Sequence, residues 1–127
     1  VADFVSGTDK LQFSQAAIRV GDGDTSVEGG VVVTGPGSFA PTAELVIVTA
    51  DVLAINTANA AAAIGSASGA YTLNASAIFA VDNGAQTGLF HFVSSGTDAV
   101  VSAGELTLLA TLNSTPATAL ADYLFVA

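Results

Sequence analysis

Apolar positions in this chain fall in short runs divided by glycine-, serine- and aspartate-rich punctuation, a pattern that predicts strands and turns. Lys10–Ser14 reads as a strand approached through the turn-forming Ser6-Gly7-Thr8-Asp9. A second around Ala17–Val20 ends at Gly21-Asp22-Gly23-Asp24. Val31–Thr34 is a β-branched run set between Gly29-Gly30 and Gly35-Pro36-Gly37, and Ala43–Ala50 centres on Val46, Ile47 and Val48. Later runs are Tyr71–Leu73, Ala77–Val81, Gly88–Val93, Glu105–Leu112 and Tyr123–Val126. Asp82-Asn83-Gly84 predicts the turn of a hairpin joining Ala77–Val81 to Gly88–Val93.

One segment breaks the pattern. Thr57–Ile64 holds five alanines within the seven residues after Thr57, which offers a cap, and Gly65 stops the run, so it predicts a helix. Its face is slender enough to lie close to a sheet. The expected fold class is therefore mainly β with a minor α+β element: sheets packed as a β-sandwich or roll, with one short Ala-rich helix. No period of roughly 20 to 50 residues recurs. No linker divides the chain, so residues 1–127 are expected to form a single acidic, β-rich domain.

Charge narrows the function classes most. Eleven acids face two bases, Lys10 and Arg19, for a formal net charge of -9. Each phosphate contact needs a cation, so nucleic acid and anionic lipid heads are excluded as partners. The mean hydropathy of +0.66 is high, and Val52 to Val81 carries no charge. That stretch is nevertheless broken by Asn56, Asn59, Ser66, Thr72 and Asn74 and relies on weakly hydrophobic alanine, so membrane insertion is not expected. Cysteine is absent, which removes disulfides, thiolate nucleophiles and sulfur-ligated metals. The opening residues hold acids rather than a basic and apolar leader. No N-terminal signal peptide is expected, and the chain is expected to be a processed product or a piece of a larger protein.

Candidate chemistry is sparse. The one histidine, His91, lies in Leu89-Phe90-His91-Phe92-Val93. Alternation sets Leu89, His91 and Val93 on one face and the two phenylalanines on the other. A general base needs a positioned partner, and nothing near His91 in sequence provides one, so it reads as a strand histidine at a sheet surface or interface. No nucleophile elbow occurs, and no enzyme activity is expected. Calcium is the one cofactor the chain is suited to, because oxygen ligands are what it offers. Asp22 and Asp24, with Glu28 close behind, form one candidate metal site against the plainer reading of an acidic turn. Ser94–Glu105 forms another, with Asp98 and Glu105 at the fifth and twelfth positions of an EF-type loop. In that second loop Ser94 replaces the usual first aspartate and Ala99 the turn glycine.

Two stretches carry a family resemblance. Phe4-Val5-Ser6-Gly7-Thr8-Asp9-Lys10-Leu11-Gln12-Phe13-Ser14 resembles the opening of C-terminal domains that follow calcium-binding nonapeptide repeats in type I-secreted (RTX-associated) bacterial surface proteins. The later words Ala77–Gly84, Gly88–Phe92, Asp98–Ser102, Glu105–Ala110 and Ala121–Phe125 are similar to the same domains, which occur in adhesins and S-layer-like chains. No Gly-Gly-x-Gly-x-Asp repeat is present, and residues 21–56 fall outside the resemblance. The resemblance implies an extracellular or cell-surface location and a C-terminal export signal, for which Asp122–Ala127 has the form of an acid followed by apolar residues. The expected role is a non-catalytic structural and secretion module that assembles into a layer or fibre. A calcium- or carbohydrate-binding adhesion module is the alternative. The expected partners are copies of itself, other surface-protein domains and the secretion machinery.

Overall fold

The computed structural model describes residues 3–127. Seven strands form two sheets with one α-helix: β1 (Leu11–Ser14), β2 (Val31–Val33), β3 (Leu45–Val48), α1 (Thr57–Ile64), β4 (Ser76–Asp82), β5 (Thr87–Val93), β6 (Leu106–Leu112) and β7 (Tyr123–Val126). The larger sheet runs β2-β3-β4-β5-β6, and the smaller pairs β1 with β7. This is the expected mainly-β class with one short helix.

The strands β2, β3 and β4 are parallel, and the connection from β3 to β4 passes through α1. Parallel strands with covered faces read as continuous apolar runs, and β3 is Leu-Val-Ile-Val with every side chain buried. Val46 and Val48 face the helix side, where Ala60 and Ile64 of α1 pack with Phe79, Phe90 and Phe92. Leu45 and Ile47 face the small sheet, meeting Phe13, Tyr123 and Phe125. The result is three layers: helix, large sheet, small sheet. Alanines at 60, 61 and 63 keep α1 close to the aromatic face of the large sheet.

Antiparallel β4 and β5 form the expected hairpin, with Ile78 opposite His91 and Phe79 opposite Phe90. On β6 the register shifts: Leu89 pairs with Ala110 but Phe90 pairs with Leu108, so Leu109 is an extra residue. That bulge turns the pleat over. Leu106 and Leu112 share parity, yet Leu106 enters the helix-side core and Leu112 the core beneath the small sheet. It also leaves one edge of the sheet irregular. The other edge, β2, is only three residues long and is soon followed by Pro36. Both features discourage strand pairing with another chain.

Three sequence expectations are corrected. Ala17–Val20 is not a strand, because the Ala17 and Ile18 amides turn back onto the Ser14 carbonyl at 3.1 and 2.8 Å. Tyr71–Leu73 forms no strand either, its Tyr71 amide bonding the Asp98 carbonyl in a loop. The helix has the expected bounds, but its cap is Asn56, whose side chain accepts from the Asn59 amide at 2.8 Å. An Asn at this position satisfies an otherwise orphaned amide and displaces Thr57 into the first turn. Among the described residues no helix is long and apolar enough to cross a membrane.

Candidate functional site

The acidic loop lies at the N-terminal end of the parallel strands. Gly21 adopts φ of 60°, and its amide meets both the Ser76 carbonyl at 3.2 Å and the Ser76 hydroxyl at 2.9 Å. Two aspartate turns follow, in which Asp22 accepts from the Asp24 amide at 3.1 Å and Asp24 from the Ser26 amide at 2.8 Å. These turns fold the loop so that carboxylate oxygens of Asp22, Asp24 and Glu28 lie within 4.8 Å of one another, all three side chains exposed. Crowded like charges raise the Glu28 carboxyl above its ordinary range, Asp22 most, then Asp24 and Glu44. Arg19, the nearest base, spends its guanidinium on the Asp22 carbonyl at 3.0 Å.

Glu44 organises this loop and was not legible as a site residue. It sits one residue before β3 and is only 4 % exposed. One carboxylate oxygen accepts from the Asp22 amide at 3.3 Å and the other from the Glu28 amide at 3.0 Å. A buried carboxylate needs such donors to offset its lost hydration. The available signal was one acid inside the otherwise uncharged, β-rich run Ala43–Ala50. Beside it opens a cleft of about 310 Å³ whose lining includes Thr42, Thr72 and Ser76. The arrangement presents a dense array of oxygen ligands of the kind that suits a hard cation.

The second predicted loop uses its acids differently. Glu105 receives four hydrogen bonds, from the amide and hydroxyl of Ser102 at 3.0 and 2.9 Å and from those of Ser95 at 2.8 and 3.1 Å. Burial raises its carboxyl, but these bonds outweigh burial and hold it below the usual range. Asp98 accepts from the Val100 amide at 3.0 Å, forming a local turn. Among the described residues, the acids that meet at metal-ligand spacing are Asp22, Asp24 and Glu28, and neither Asp98 nor Glu105 joins such a group. Glu105 closes its own loop as a staple, so its oxygens are already taken.

His91 carries no carboxylate partner in its hydrogen bonding. Its Nε2 lies 2.9 Å from the Arg19 carbonyl, which can only accept, so that nitrogen holds the proton. This ties β5 to the acidic loop's first strand-side turn.

A third constellation joins the chain's ends. Asp122 is fully buried. One oxygen accepts from the Ser6 hydroxyl at 2.5 Å and the Ala119 amide at 2.8 Å, and the other from the Gly7 amide at 2.8 Å. Lys10 adds a bond from Nζ to the Ala121 carbonyl at 2.6 Å. Burial acts to raise the Asp122 carboxyl, but bonds from Ala119, Ser6 and Gly7 and the positive charge of Lys10 hold it below its ordinary range. Next to this clasp β1 and β7 run parallel, with Phe13 opposite Phe125, and the rings of Phe13 and Tyr123 stack at 6.1 Å. The two stretches that carried the family resemblance at the ends of the chain thus form one unit.

Comparison with protein-family models, with curated proteins and with solved structures finds no match to this chain.

Proposed function

We propose that this chain is a non-catalytic structural and secretion module of a bacterial extracellular or cell-surface protein, with Asp122–Ala127 serving as both closing strand and export determinant. The observation that carries this reading is the clasp between the Ser6-Gly7 turn and Asp122. It makes the terminal motifs mutually dependent parts of a scaffold, and no reaction centre is needed to explain their chemistry. Partners in this reading are other domains or copies of the parent surface protein, and the secretion machinery.

Export of a passenger fused ahead of the chain tests the proposal. Deleting 122–127 is expected to abolish type I export, whereas Ser6→Ala, which weakens the clasp but keeps the terminal sequence, is expected to preserve it. Normal export after the deletion would remove the secretion role.

The acidic triad favours a second reading, a calcium-binding adhesion module. Calcium at about 1 mM, the range of weak extracellular sites, is then expected to raise the melting midpoint of the native chain. The double variant Asp22→Asn/Asp24→Asn should show no such rise, and equal shifts in both would sink this reading.

A further inference from the structure

At the opposite end of the large sheet from the acidic triad, a second pair of acids meets. Asp82 is the last residue of β4 and is 6 % exposed. Its side chain accepts from the Gly84 amide at 3.1 Å, and its carbonyl accepts from the Val52 amide at 2.9 Å. Asp51 reaches the same turn from the connection between β3 and α1. A Cβ on Gly84 would stand 3.0 Å from its Oδ2, so the glycine, at φ of 88°, makes room for the second carboxyl. Both carboxyls therefore converge on Gly84, and a bond between carboxyl groups requires a proton on one of them.

We propose that Asp51 and Asp82 form a proton-dependent latch that holds residues 50–56 against the β4–β5 turn. When the shared proton leaves to water, the buried carboxylate of Asp82 faces the exposed one of Asp51, and the connection is released. Ile55 shows what the latch covers: its Cγ2 stands 2.4 Å from where a Cβ on Gly88 would be, so this side chain seals the sheet at that point. Leu53, between them, is 99 % exposed.

The surroundings supply no compensating charge. The turn residues Asn83, Gly84, Ala85 and Gln86 do not titrate, nor does any residue of α1 or β6. On β5 the single titratable group, His91, is bonded to the Arg19 carbonyl. The bases Lys10 and Arg19 are engaged by the carbonyls of Ala121 and Asp22. Burial first, then the bond to Asp51 and its charge, push the Asp82 carboxyl up to about 6, against the lowering effect of the Gly84 amide. Because the folded value lies above the ordinary one, the proton's stabilisation is full at acid pH and is lost as pH climbs through about 6.

The chain has no Trp, so Leu53→Trp places a single reporter on the connection. Its fluorescence anisotropy, followed from about pH 4 to about pH 8, is expected to fall in one step centred near pH 6. Adding Asp82→Asn, which keeps an acceptor for Gly84, is expected to leave the signal flat. With Asp51→Asn instead, the step should move to lower pH, which provides a second reading if the first variant folds poorly. A flat signal in the reporter alone, or an unchanged step in either variant, would overturn the latch.

Discussion

Replacing Asp122 by alanine is expected to cost about 3–5 kcal/mol, a large share of the stability of a domain this size. The carboxylate accepts from the Ser6 hydroxyl and from the amides of Gly7 and Ala119 at 2.5–2.8 Å. Removing it takes the partner from these part-buried donors, and each hydrogen bond to a charged group contributes about 1.5–3 kcal/mol. Loss of the clasp also frees the ends of β1 and β7, whose parallel pairing covers the core formed with Leu45, Ile47 and Ile78. The melting midpoint should fall by ~10–20 °C. Asp122→Asn, which keeps one oxygen acceptor, should fall less. The pH dependence follows from the lowered carboxyl. Its contribution is present above the ordinary aspartate value near ~4 and is lost as pH drops through the lower folded value. Thermal unfolding across that acid range should therefore converge for native chain and variant. A loss under about 1 kcal/mol at neutral pH would mean that the clasp contributes no more than a surface contact.

Gly21→Ala is the second change expected to act strongly, at about 3–5 kcal/mol. Two effects add. The backbone at φ of 60° is unfavourable for any residue with a Cβ. The new atom would also fall 1.7 Å from Glu44 Oε2, so the buried carboxylate would have to leave its place. Once displaced, it no longer accepts from the Asp22 and Glu28 amides, and the acidic loop loses its anchor. Gly7→Ala is the control. Its φ of 83° is also left-handed, yet nothing lies within 4 Å of the added atom. That variant should lose only about 1–2 kcal/mol, the backbone share. Equal losses in the two, measured by urea unfolding, would remove Glu44 from the explanation.

Much of the scaffold was legible in the residues alone. Val31–Val33, Leu45–Val48 and Tyr123–Val126 lie within strands expected from β-branched or aromatic runs between breakers, because side chains on a pleated, half-buried surface impose that pattern locally. Thr57–Ile64 was visible as a helix from its alanines and closing glycine. Asp22, Asp24 and Glu28 could be singled out because aspartates alternating with glycine fold on themselves within a few residues. Where local pattern and long-range contact competed, the sequence misled. Ala17–Val20 has strand-like content, but a turn onto Ser14 takes its amides.

The amino-acid order by itself determined most of the segments that become strands, which becomes the helix and which loop is acidic, since those choices depend on neighbours a few residues apart. Only the tertiary structure decided that Ser6 meets Asp122 across 116 residues, that Glu44 lies under the acidic loop, and that Asp51 meets Asp82. Those contacts depend on strand order and register, which join positions far apart in sequence. Nothing in the local rhythm of apolar and polar side chains encodes which distant carboxylate an amide will find.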